Sequence, residues 1–185
     1  MSSGLGTAHP PSAGAAASNL ARFAPPAAAG AGVVMAVARF GADSHALVAA
    51  VLLGALGFLA VVDVQRRVIP MTVVLPSAAL VLILQLLLFP EDALEWVLAA
   101  LITGGALLVL SLVKRDSVER GDAAVGLLIG AGLGTEAALA MLVGCLLLWP
   151  VAGYVVLKGG ADARKMAIPL TPALALGTAI VLLAG

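Results

Sequence analysis

Six apolar runs separated by short polar loops dominate this chain and leave few folds open to it. They cover residues 46–62, 68–89, 94–113, 123–134, 137–157 and 167–185. At 1.5 Å per residue, about 20 apolar residues cross a hydrocarbon core of about 30 Å. Five of the runs reach or approach that length, whereas 123–134 is short and crosses only if its helix begins near Val118 and carries Asp122 in its opening turns. Composition excludes the soluble alternative. The chain of 185 residues is 62% hydrophobic and 11% charged, against roughly 25% charged in soluble domains. The expected fold is all-α, a polytopic membrane protein of about six transmembrane helices.

Charge placement argues for six crossings. If every run crosses, one set of loops holds Arg66, Arg67, Lys114, Arg115, Arg120, Lys158, Arg164 and Lys165, and the opposite set holds Glu91, Asp92, Glu95 and Glu136 without Lys or Arg. That asymmetry is the one expected between cytoplasmic and external loops. Were the fourth run not to cross, the last basic cluster would fall outside. Six spans place both termini outside the cytoplasm, and the loops leave no room for a separate soluble domain.

Residues 1–45 read as an N-terminal tail, rich in Ala, Gly and Pro and disordered over 1–32, with a short interfacial segment over 33–40 that Arg39 interrupts. The membrane domain is then 46–185. Ten basic and ten acidic side chains balance, so no global field points to nucleic acid. The single cysteine, Cys145, lies in an apolar run and excludes an internal disulfide. His9 and His45 lie in or beside the tail and read as solvated. No His or Cys pair has ligand spacing, so neither a metal site nor a cofactor is expected. Gly104, Gly105, Gly126, Gly130 and Gly134 read as small positions that let helices approach closely, and Trp96 and Trp149 as interfacial anchors near span ends.

Two carboxylates stand apart from the solvated loop acids. Asp63 ends the first run and Asp122 opens the fourth, so both lie at the cytoplasmic ends of their helices at similar depth. Ionisable residues at such depth are costly and often functional; the structural alternative is pairing with Arg66, Arg67 or Arg120. Two carboxylates brought together can act on a water, one as general base and the other as acid toward a carbonyl oxygen. The helix macrodipole favours Asp122, at a helix N-terminus, as the base, and leaves Asp63, at a C-terminus, as the acid.

The surroundings of these residues resemble a known family. Asp63 is followed by Val64, Gln65, Arg66, Arg67, Val68, Ile69 and Pro70, similar to the first-aspartate motif of type IV prepilin peptidases, which runs on to Ile-Pro-Asn. Gly121-Asp122 resembles the family's Gly-x-Gly-Asp. The last run opens Ile168-Pro169-Leu170-Thr171-Pro172-Ala173-Leu174-Ala175-Leu176-Gly177, similar to the family's closing Ile-Pro-Phe-Gly-Pro-Phe-Leu-Ala-Leu-Gly. The resemblance covers about residues 46–185. Met71 stands where the family has Asn, Glu119 where it has the first Gly, and Ala124 where it has Lys.

The resemblance implies a membrane aspartic endopeptidase that uses Asp63 and Asp122 to cut the basic leader from prepilins or pilin-like proteins. It implies a bacterial inner membrane location with the site at the cytoplasmic face. It also implies the short, peptidase-only form associated with Flp/tight-adherence pili, lacking the methyltransferase insert. Ile69, Pro70, Gly121, Pro169 and Pro172 are then motif residues with backbone roles, Pro70 opening the second span and Pro169 and Pro172 the sixth. Two other readings stand beside it. One is a catalytically weak or inactive relative that binds pilin-like helices as an assembly factor, motivated by Met71, Glu119 and Ala124. The other is a small channel or transporter subunit whose aspartates line a polar path.

Overall fold

The computed structural model describes residues 13–113, 120–163 and 169–185. His9, Val118, Glu119, Ile168 and the loop cations Lys114, Arg115, Arg164 and Lys165 lie outside these. Among the described residues all regular structure is helical. Seven α-helices run in chain order: α1 Ala13–Phe40, α2 Ser44–Arg66, α3 Met71–Leu88, α4 Ala93–Val113, α5 Arg120–Leu133, α6 Ala137–Ala163 and α7 Thr171–Ala184, with 3-10 turns at Pro90–Asp92 and Gly134–Glu136. The chain is an all-α polytopic membrane protein. The stretches Ala21–Phe40, Ser44–Arg66, Met71–Leu88, Pro90–Val113 and Arg120–Val151 are long and apolar enough to cross a bilayer, and Thr171–Ala184 is shorter.

The first helix corrects the sequence reading. Residues 13–40 are not a disordered tail with an interfacial segment but one helix of 28 residues. Its inner stripe is Pro25, Ala29, Gly32 and Ala36, spaced as one helix face. A side chain added at Gly32 would strike the Leu53 backbone, and one at Gly57 would meet the Ala28 carbonyl oxygen at 2.6 Å. In water, an Ala-, Gly- and Pro-rich stretch has too little apolar surface to order itself. In lipid the same small residues let backbones approach and gain dispersion contact. Two hydrogen bonds fasten the ends of α1: Gln65 Nε2 donates to the Ala21 carbonyl at 3.0 Å, and Arg39 Nε to that of Leu183 at 3.4 Å.

These contacts make α1 antiparallel to α2. Ala21 therefore lies at the end of the bundle that holds Asp63, and Arg39 joins Glu95 and Glu136 at the opposite end. The six-run reading leaves the whole tail at that acidic end, whereas α1 carries Ala21 across to the end that holds Asp63. The described helices begin and finish at opposite ends of the bundle rather than at the same one.

The short fourth run forms the centre. α5 has 14 residues, 11 of them buried, and is about 21 Å long at 1.5 Å per residue. Surrounded by protein, it has no lipid thickness to match. It packs antiparallel on α4 through glycines: a Cβ on Gly104 would lie 2.9 Å from Leu127 Cβ, and one on Gly126 would lie 3.0 Å from the Thr103 carbonyl oxygen. Thr103 Oγ1 donates across this interface to the Gly126 carbonyl at 2.8 Å. Gly130 is equally close to the Ala99 carbonyl, while Gly105 faces open space. Gly134 combines the expected close approach, here to α4, with a turn. At φ 57° it turns the chain back between α5 and α6, and the Glu95 and Trp96 side chains cover it. Trp149 is exposed but lies midway along α6 rather than at a span end, and Trp96 is half-buried near the start of α4.

Candidate functional site

α2 ends one turn after Asp63. The Arg67 N–H donates to the Asp63 carbonyl at 2.7 Å, and Arg67 takes the left-handed conformation at φ 52°, ψ 35°. This cap sends the chain through Val68, Ile69 and Pro70 into α3, with Pro70 as the residue immediately before the helix. Pro70 therefore stands just before the second span rather than within its first turn.

The Asp63 side chain does not follow its neighbours into solvent. Asp63 is buried, whereas Val64, Gln65, Arg66 and Arg67 are exposed. Its Oδ2 accepts the backbone N–H of Thr171 at 3.3 Å. Thr171 is the first residue of α7, and Leu170 before it supplies no side-chain cap. The first N–H groups of a helix lack intrahelical partners, so a carboxylate from α2 satisfies one of them across the bundle. Pro172 fits the next position because it has no N–H to satisfy, and Pro169 precedes the helix. The Oγ1 of Thr171 is buried in the same place, without a partner among the described residues.

Asp122 is buried in the first turn of α5. What places it is the residue before it. A Cβ on Gly121 would come within 2.7 Å of Ile69 Cβ and 2.9 Å of Ile69 Cδ1, so the start of α5 rests directly on the Ile-Pro turn that follows Asp63. Only glycine allows that approach. Two contacts therefore gather all three motif segments at one end of the bundle: Ile69 on Gly121, and Thr171 on Asp63. Both carboxylates are buried at that end. Arg66, Arg67 and Arg120 are exposed.

The chain matches no family profile, no curated protein and no solved structure.

The departures from the motif fall in distinct environments. Met71 is 39% exposed at the start of α3, and Ala124 is 7% exposed in the core of α5. The sequence reading named Asp63, Asp122, Ile69, Pro70, Gly121, Pro169 and Pro172 but gave Thr171 no task. A usable signal was present, since Thr directly before Pro at the head of an apolar run is a common way to open a helix. Which carboxylate it would meet is a tertiary matter.

Proposed function

We propose that this chain is an intramembrane aspartic endopeptidase of the type IV prepilin peptidase kind, cutting the basic leader of a pilin-like protein. The observation that carries the reading is the convergence of its three motif segments: the Ile69–Gly121 contact and the Thr171–Asp63 hydrogen bond join stretches that sequence alone could only set in order. A water between the two carboxylates loses a proton to one of them as its oxygen attacks the scissile carbonyl carbon. The other carboxyl gives its proton to the carbonyl oxygen. The tetrahedral gem-diol then collapses: one of its hydroxyls returns a proton to the carboxylate that acted as acid, the C–N bond breaks, and the amine leaves with the proton that the base took from water. The buried hydroxyl of Thr171 would help hold the water. On this reading the basic end of the bundle faces the bacterial cytoplasm, where a basic leader would be presented.

Co-expression with a pilin-like precursor tests the reading, comparing wild type with Asp63→Asn and Asp122→Asn. Leader removal by wild type and by neither variant is the expected result. Cleavage that survives both substitutions would overturn it. Ala124 and Met71 favour a second reading, since the resemblance expects Lys and Asn at these two positions. A stable, inserted protein that cleaves no precursor yet supports pilus assembly would be a pilin-binding assembly factor.

A further inference from the structure

A cleft of about 540 Å³ opens between α1, α2 and α3 at the Asp63 end of the bundle. Its lining divides by chemistry. Arg22 from α1 and Arg66 from α2 contribute two guanidinium groups, while Pro26, Phe58, Val62 and Val73 make an apolar wall. No Asp or Glu lines it among the described residues, and neither arginine has a carboxylate partner there. Asp63, one residue after Val62, is buried behind this wall rather than open to the cleft.

We infer that this cleft is a binding site for one anionic phospholipid, with the phosphate between Arg22 and Arg66 and an acyl chain along the apolar wall. Guanidinium groups match phosphate oxygens in bidentate geometry and are less strongly hydrated than ammonium groups. Basic pockets between membrane helices suit anionic headgroups. The cleft is lipid-shaped in the relevant sense, since its two cations sit at a bundle end and its apolar residues on spanning helices. The same two charges disfavour a basic peptide in this cleft. The lipid would clip α1 to α2 at the end where Gln65 already bonds Ala21. This inference does not depend on the peptidase reading.

Native mass spectrometry of the full chain in detergent, titrated with phosphatidylglycerol or phosphatidylcholine, tests it. The expected result is one phosphatidylglycerol retained in preference to phosphatidylcholine. Arg22→Gln and Arg66→Gln should each weaken retention roughly fivefold, and the pair about 25-fold, the size expected for basic residues at an anionic surface. The charge-preserving pair Arg22→Lys with Arg66→Lys should keep most of the preference, which separates lost charge from lost folding. Arg39→Gln, at the opposite end, should leave it unchanged. Equal binding of the two lipids, or an unchanged preference in the glutamine pair, would overturn the inference. Displacement of the lipid by millimolar inorganic phosphate would also overturn it, by making this a simple phosphate site.

Discussion

Asp63 caps a helix 108 positions away: its Oδ2 accepts the N–H of Thr171 and so closes the N-terminus of α7 onto the C-terminus of α2. The carboxylate therefore has a structural task separable from any chemistry. Asp63→Asn keeps an oxygen acceptor and should alter stability by less than about 1 kcal/mol, whereas Asp63→Ala strands a buried N–H and should cost about 1–3 kcal/mol. Unfolding in mixed micelles, monitored by circular dichroism, measures the difference. Equal losses in the two variants would show that the hydrogen bond does not hold α7.

Gly121 is expected to be intolerant of any side chain. A methyl group there meets Ile69 Cβ at 2.7 Å, and overpacking of this kind costs about 1–3 kcal/mol. Gly121→Ala should lower the midpoint of unfolding and displace Asp122 with it. On the proposed peptidase reading, leader cleavage should then fall further than stability does, because both carboxylates remain but their spacing changes. A Gly121→Ala protein as stable and as active as wild type would mean that α5 is free to move away from the Ile-Pro turn.

Arg67 occupies a conformation that glycine adopts at little cost. At φ 52° it pays the steric penalty of a Cβ in the left-handed region, roughly 1 kcal/mol. Arg67→Gly should therefore raise stability by up to about 1 kcal/mol, despite removing a charge, since the side chain is exposed. Thermal unfolding of the two proteins side by side is sufficient. A destabilised glycine variant would show that the guanidinium contributes more than the backbone costs.

Among the described residues, the Thr103 hydroxyl lies within hydrogen-bonding reach of both the Gly126 carbonyl across the α4–α5 interface and the Ala99 carbonyl of its own helix. Hydrogen bonds between membrane helices are worth about 0.6–2 kcal/mol, so Thr103→Val should cost an amount in that range. Gly130→Leu should be far more damaging, because its side chain would have to enter the α4 backbone at Ala99 and Ala100. Comparing the yield of folded protein for the two variants distinguishes a lost bond from a blocked interface.

Helix α1 gives a prediction about topology. With Cys145 replaced by Ser, single cysteines at Ala21 and Ala42 should react with a membrane-impermeant maleimide from opposite faces of the membrane. Ala21 is level with Gln65, and Ala42 lies in the turn between α1 and α2. Labelling of both from the same face would return α1 to the surface and leave six crossings.

The sequence by itself determined the solvent of this protein and the order of its helices, because twenty apolar residues without charge admit one environment and one backbone geometry. It also singled out Asp63 and Asp122, since a carboxylate at the end of a spanning run is costly wherever the helices lie. The same reasoning failed for residues 21–32, whose small side chains signal disorder in water but close packing in lipid, and the two meanings differ only in the partner. Gly32 becomes a contact because α2 is beside it. Tertiary structure alone decided that α5 is a central helix shorter than a bilayer, that Gly134 is a turn, and that Ile69 rests on Gly121. It alone joined Thr171 to Asp63. Local patterns record which face of a helix avoids water, and in a chain apolar on nearly every face they leave the choice of neighbour to packing.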